Sequence, residues 1–466
     1  MTKYQTVADS LKSEIESGLY KESEKIPSLR EIQELKNCSL TTAKEAYRIL
    51  ENEGFIEVKP QSGYYVRKNI ENKITGPQNE FHDHISADDR IQSIMRDVMN
   101  PDLIPLGAAI PGNEFLPLGK FITSYKTALL YKDMHTYGDL QGFPPLREKI
   151  AERSRRYSHN ISSDQVLITT GCTEALSLSL QSCVSPGDTV LVPSPTYVGI
   201  FQILEALKLK AIEVPYRDEV GLDGEEVEKL CKKHRPNAVI IAPNFNNPNG
   251  AMLDESSKQA LAKIFYEYNV AVVEDDIYGD LPHVGPRPRP LISYFPNSKS
   301  NPPLFVCSSF SKTISPGIRI GWVSSKNEIR NVTKLARAYK ISHNQLSQIS
   351  AYEFLRKYPY ERHLTFLRKS FHSNIQLALK TLENASEGKM KIQKPDGGFV
   401  LWIKSPLDGQ KVLQEAKKRK ITIAPGVLFG LSHHWKKYFR INVGLKWNSD
   451  LENALIRLGE IVSKSS

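Results

Sequence analysis

The first 68 residues carry a helical spacing of apolar side chains that gives way to a strand spacing. Val7, Ala8, Leu11 and Ile15 fall on one helical face, and Gly18 stops that helix. Pro27 precedes Ser28-Leu29-Arg30-Glu31. Ser28 as N-cap and Glu31 three residues later form a capping box that opens a short second helix through Leu35. Ser39 or Thr41 caps a third helix, with Ala43, Ala46, Tyr47 and Leu50 inward and Gly54 closing it. Two β-rich runs follow, 55–59 and 64–66, joined by Pro60-Gln61-Ser62-Gly63 with glycine at the bend. Three helices and a hairpin in this order predict a winged helix-turn-helix over residues 1–68.

Residues 69–88 hold few apolar side chains and a Gly76-Pro77 break, and read as a linker. His82-Asp83-His84 within it lacks a third ligand at a standard spacing, so no metal site is expected. From 89 to 466 the pattern changes again. Strand-like runs at 165–169, 189–192, 210–214, 238–242, 270–274, 304–307 and 319–323 alternate with helical patterns such as 175–183, 225–234 and 255–268. This predicts an α/β sheet domain with its chemistry at the C-terminal ends of the strands.

A chain of 466 residues with 40% hydrophobic and 24% charged residues has the balance of a soluble multidomain protein. No apolar run is long enough to span a bilayer, and the polar N-terminus has no signal-peptide core. Cys38, Cys172, Cys183, Cys231 and Cys307 are scattered and odd in number, which predicts reduced thiols in a cytoplasm. The formal charge is +10, yet residues 1–68 contain eleven basic and eleven acidic side chains. The excess lies beyond them, in clusters such as 417–420, so net charge by itself says little about nucleic acid.

The stretch SSFSKTISPGIRIGW, 308–322, holds one lysine, Lys312, between two apolar runs. A lysine on a short turn between buried strands is poorly solvated, so its amine can lose a proton and attack a carbonyl. Ser309, Ser311 and the permanent cation Arg319 could hold a phosphate beside it. The combination suggests a Schiff base with pyridoxal 5'-phosphate (PLP); the alternative is an ordinary turn lysine at the surface.

Other turns fall where a strand pattern ends. Gly171-Cys172-Thr173 opens a helix, whose N-terminal N–H groups suit a phosphate. Asn247 is held extended by Pro248. Asp275-Asp276-Ile277-Tyr278 follows another strand, and Arg440 sits on an apolar strand where burial demands an anion. Taken singly these also read as a tight turn, an Asn-Pro turn, a solvated acidic turn and a structural salt bridge. Their order resembles the fold-type I aminotransferases (class I/II). That resemblance implies a large central-sheet domain, a smaller C-terminal domain and PLP on Lys312. By the same resemblance Gly171, Cys172 and Thr173 lie at the phosphate, Tyr197 stacks on the pyridine ring, and Asn247 and Tyr278 meet the ring oxygen. Asp275, rather than Asp276, pairs with the ring nitrogen. Arg440 grips a substrate carboxylate, residues 106–117 form a substrate loop, and Tyr137 reaches the other subunit's cofactor in a homodimer.

The first module resembles the GntR family through PSLRE, LENEGFIE and the wing PQSGYYV. Arg30, Thr41, Thr42, Lys44 and Arg48 would then face double-stranded DNA, and Ser62 and Gly63 would let the wing approach phosphate. Where that family often has Ser-Arg at the start of its recognition helix, this chain has Ser39-Leu40. A winged helix can also serve as a protein-interaction module. The two modules together resemble the MocR subfamily of bacterial regulators, which implies a PLP-dependent transcriptional regulator responding to an amino compound. A working aminotransferase with an appended DNA-binding module, and a sensor of PLP itself, are the other readings of the same residues.

Overall fold

The computed structural model describes residues 3–16, 19–20, 24–52, 55–59, 62–66, 81–82, 96, 100–217, 221–298 and 300–464. Gly18, Gly54, Pro60, Gln61, Gly76, Pro77, Asp83 and His84 of the sequence reading lie outside these residues, as does most of the stretch read as linker. The chain divides into two compact units, Met1–Thr75 and Gly76–Ser466.

In the first unit three helices, α1 (Lys3–Glu16), α2 (Leu29–Leu35) and α3 (Leu40–Asn52), precede the strands β1 (Ile56–Lys59) and β2 (Gly63–Val66). The strands pair antiparallel from Ile56↔Val66 to Lys59↔Gly63. The inward helical positions meet in one core with Ile56 and Val66: Val7, Leu11 and Ile15 from α1, Ile32 from α2, and Ala43, Ala46, Tyr47 and Leu50 from α3. The capping box at α2 is present in both directions, Ser28 N donating to Glu31 Oε2 at 2.7 Å and Glu31 N to Ser28 Oγ at 3.3 Å. Ser39, not Thr41, caps α3: its Oγ accepts from Thr42 N at 3.1 Å. The backbone of 24–26 runs along β2, with Ile26 N donating to Tyr64 O and Val66 N to Glu24 O.

In the second unit nine strands form one sheet among the described residues. They are β3 (Phe81–His82), β4 (Val166–Thr169), β5 (Thr189–Ser194), β6 (Lys210–Arg217), β7 (Gly221–Leu222), β8 (Ala238–Ile241), β9 (Ala271–Asp275), β10 (Leu304–Ser309) and β11 (Gly321–Ser324). The order is β3-β6-β5-β8-β9-β10-β11-β4, with β7 against β6. The pairs β6-β5, β5-β8, β8-β9 and β9-β10 are parallel, and β11 is antiparallel to both neighbours. The central strands are buried on both faces, as a parallel sheet between helices requires. Phe81–His82, inside the stretch read as linker, pairs antiparallel with β6 and so forms that edge of the sheet.

A second, antiparallel sheet follows: β12 (Lys391–Gln393), β13 (Val400–Lys404), β14 (Ala424–Pro425) and β15 (Tyr438–Asn442), in the order β12-β13-β15-β14. Helices Tyr360–Ala385 and Ser449–Ser463 give it a separate core. No helix among the described residues is long and apolar enough to cross a membrane.

Candidate functional site

The lysine turn is built by β10 and β11. These antiparallel strands pair from Val306↔Ser324 to Ser309↔Gly321, which leaves 310–320 as the connection. Phe310 and Ile314 are fully buried and anchor it. Ser311 N donates to Ser309 Oγ at 3.2 Å, so Ser309 braces the turn while Ser311 lines the cavity. Arg319 does not belong to the strand, as the sequence pattern had it: after a single 3-10 turn it adopts the left-handed conformation, φ 53 and ψ 45. This swings its guanidinium against the neighbouring turn, with Nη2 donating to Thr170 O at 2.9 Å.

That neighbouring turn joins β4 to the helix Cys172–Cys183. Gly171 has φ +89, and a Cβ there would stand 2.2 Å from Arg319 Nη2. Only glycine lets the guanidinium close on the helix N-terminus, which gathers backbone N–H groups, Thr173, Ser311 and a cation into a cup suited to a phosphate.

The cup opens into a cavity of about 330 Å³ lined by Cys172, Thr173, Tyr197, Asn247, Asp275, Tyr278, Ser311, Lys312, Arg319 and Arg440. The structure thus brings together side chains spread over most of the second unit. Gly171 and Ser309 stand behind the wall, and Tyr137 is 80% exposed, away from it.

Charge in the cavity is strongly perturbed. Burial, with the Arg440 cation as second cause, pulls the Lys312 amine down to about 8, against the attraction of Asp275. Its Nζ donates to Ala109 O at 2.7 Å. Burial pushes the Asp275 carboxyl up to about 6, opposed by hydrogen bonds to Oδ1 from Ile277 N at 3.2 Å and Cys172 Sγ at 3.5 Å. Asp276 belongs elsewhere: it pairs with Arg287 and accepts from Asn244 Nδ2 at 3.2 Å. Among the described residues the buried Tyr278 hydroxyl has no hydrogen-bond partner, and burial raises its pKa.

Arg440 is 6% exposed on β15, and its hydrogen-bond partners among the described residues are neutral acceptors, with no carboxylate. Nη1 donates to Asn247 Oδ1 at 2.9 Å, Nη2 to Gly107 O, and Nε has no partner. Burial lowers it to about 10. A guanidinium held this way by neutral acceptors is ready for an anion. Two contributors escaped sequence reading. Asn442, on the same face of β15 as Arg440, donates from Nδ2 to Ile110 O at 2.8 Å and so fixes the 107–112 loop; the period of two along a strand was the available signal. Phe429 lies 5.0 Å from the Arg440 guanidinium and carries no such signal.

In the first unit Arg30, Thr41, Lys44, Arg48 and Ser62 are exposed, and Leu40 is 50% exposed at the start of α3. Thr42 is half-buried and bonded to Ser39 Oγ at 2.8 Å. Arg48 forks onto Glu45, with Nη2 at 2.6 Å from Oε1. Gly63 has φ +117, and Ser62 Oγ meets Tyr65 OH at 2.7 Å.

A half-buried lysine of lowered basicity, a buried carboxylate in the same cavity, a phosphate cup closed behind by Gly171 and a carboxylate-seeking arginine define a PLP-binding domain of the fold-type I aminotransferase class. The unpartnered Tyr278 hydroxyl and the Gly171–Arg319 cup fit that cofactor. Residues 102–458 match the family "aminotransferase class I and II", and residues 3–66 match "bacterial regulatory proteins, gntR family". The chain is 31% identical over 472 residues, 100% of both chains, to the HTH-type transcriptional regulator YdcR of Escherichia coli (strain K12). It belongs to the MocR subfamily of GntR-family transcriptional regulators, whose second domain takes pyridoxal 5'-phosphate as cofactor. The regulator NorG of Staphylococcus aureus (strain USA300) is 28% identical over 94% of this chain and 100% of that one. Among solved structures, Pyrococcus horikoshii kynurenine aminotransferase superposes with a TM-score of 0.74 at 26% identity, over 81% of this chain and 95% of that one. LysN, the alpha-aminoadipate aminotransferase of Thermus thermophilus, shares the fold at a TM-score of 0.73 and 23% identity, over 81% and 95%.

Proposed function

We propose that this regulator reads an amino compound through its PLP site and converts that binding into a change in affinity for double-stranded operator DNA. The observation that carries the reading is Arg440. It is a buried cation with an unpartnered Nε and only neutral acceptors, in one cavity with Lys312 and Asp275. It supplies a carboxylate anchor, while Lys312 supplies the covalent anchor for the cofactor. Thr173, Ser311, Arg319 and the turn at Gly171 hold the phosphate, and Asp275 holds the ring nitrogen. Asn247 and Tyr278 face the ring oxygen, Tyr197 stacks on the ring, and Tyr137 serves the partner's site. When bound, the cofactor supplies an electron sink next to the amine-bearing carbon. The walls beyond Arg440 are apolar, with Ile110, Leu428 and Phe429 among them, and suit a compound with one carboxylate and an uncharged remainder.

On the DNA side, Arg30, Thr41, Thr42, Lys44 and Arg48 face the duplex, and Ser62 and Gly63 carry the wing to phosphate. A homodimer in the cytoplasm would present two such modules. Exposed apolar side chains at Ile122, Leu129 and Leu130, along the stretch that leads to Tyr137, support self-association. Binding can shift DNA affinity only through differential affinity for two states of the dimer.

The test is the visible absorption of the purified protein. Added PLP should give a band that is lost in Lys312→Ala. A panel of amino acids and ω-amino acids should then shift it at concentrations that also change DNA binding, and Arg440→Ala should weaken that response at least about tenfold. A band that responds to no amine, with DNA affinity set by PLP alone, would make the cofactor itself the signal. Lys312 also favours a second reading, since an amine titrating at about 8 suits a proton carrier for transamination. Release of a keto acid that disappears in Lys312→Ala would establish turnover.

A further inference from the structure

Cys172 occupies two places in the site at once. Its backbone is the first residue of the helix whose N-terminus forms the phosphate cup, and its thiol reaches the Asp275 carboxylate in the same cavity. The thiol is buried, 5% exposed, and lies 3.5 Å from Asp275 Oδ1. The backbone N–H of Ile277 reaches the same oxygen at 3.2 Å. Both donors fall on Oδ1, and Oδ2 receives neither. Burial and the adjacent carboxylate raise the thiol well above its ordinary range, so it stays an S–H donor rather than a thiolate. A thiol is a weak donor, but donation to an ionised acceptor in a dry site is strengthened by the charge.

We propose that Cys172 is a positioning residue for the cofactor: its S–H locks Asp275 Oδ1, which leaves Oδ2 as the acceptor for the protonated ring nitrogen. This rests on the reading of Asp275 as the ring-nitrogen partner. One residue then couples the two ends of the cofactor, with its main chain at the phosphate and its side chain at the carboxylate. The other donor on Oδ1 is main chain, so Cys172 is where a substitution can release the carboxylate without removing it.

The test titrates PLP onto full-length protein, following the visible band from pH 5 to 9, for wild type, Cys172→Ala, Cys172→Ser and Asp275→Asn. Cys172→Ala deletes the donor and should raise the PLP dissociation constant about tenfold. Without that hydrogen bond the ionised carboxylate is less favoured, so the acid limb of the binding profile should move toward neutral pH. Cys172→Ser restores a donor and should recover most of both changes, a rescue that a purely steric role for sulfur would not give. Alanine binding PLP like wild type with an unmoved acid limb, or serine no better than alanine, overturns the proposal. Asp275→Asn separates the two levels. If it is crippled while Cys172→Ala is normal, the positioning role alone fails. If Asp275→Asn itself binds normally, the assignment of Asp275 fails and takes the positioning role with it.

Discussion

Burial makes the charged forms of Lys312 and Asp275 costlier in the fold than in water, and this has a price in stability. Folded Asp275 keeps its proton up to about pH 6, whereas an unfolded one loses it near 3.8. The associated stability is fully present below about 3.8 and is lost as pH rises through about 6. Lys312 has the opposite sign: its share is present above 10.5 and is lost as pH falls through about 8. Between the two, near neutral pH, cofactor-free protein carries both burdens. Asp275→Asn removes one of them while keeping an acceptor for Cys172 and Ile277. Urea unfolding of cofactor-free protein should therefore find Asp275→Asn matching wild type near pH 4 and more stable by about 3 kcal/mol above pH 6. A difference that does not change between those pH values would mean that Asp275 is not held protonated by its surroundings.

At the scale of elements, the strands facing the site were legible because a parallel sheet buried on both faces writes continuous apolar runs into the sequence, as at 270–273 and 304–307. Less legible were boundaries set by one backbone conformation. The run 319–323 begins as a strand only at Gly321, because Arg319 must turn left-handed to reach Thr170. The smaller sheet was read only at Arg440, since β12 and β14 are three and two residues long, too short to show a period. Gly321 carries the junction between turn and strand. A Cβ there would stand 2.4 Å from the Gly171 carbonyl carbon and 2.8 Å from Cys172 N, which are main-chain atoms with nowhere to go. Gly321→Ala should push the phosphate cup open, lower the melting temperature by several degrees for a cost of about 2 kcal/mol or more, and weaken PLP binding at least about tenfold. Gly119→Ala, in a helix with nothing within 4 Å of the added carbon, is the control and should be neutral or slightly stabilising. Calorimetry and PLP titration of the pair check this, and equal behaviour of the two variants would refute the steric account.

For the whole molecule, the balance of charge in the DNA-binding unit sets a requirement. Residues 1–68 carry eleven basic and eleven acidic side chains, and Arg48 on α3 is already paired with Glu45. With no net charge on one such module, tethering two of them at high effective concentration in the proposed homodimer would raise its affinity for DNA. In the proposed homodimer, association would matter to DNA binding as well as to the cofactor site, where Tyr137, 80% exposed on its own subunit, would complete the partner's cup. If the proposed homodimer buries this stretch, Leu130, 84% exposed, is the place to separate the subunits without touching a core. Leu130→Glu should keep the wild-type circular dichroism spectrum and sediment as a monomer. It should bind DNA at least about tenfold more weakly, the loss expected when a second binding event becomes bimolecular. Its PLP affinity should also fall, but by less than in Lys312→Ala, because the subunit's own cup remains intact. A monomeric Leu130→Glu that binds DNA as tightly as wild type would show that a single winged helix suffices. The amino compound would then have to act on the DNA-binding unit within one chain rather than on the spacing of two.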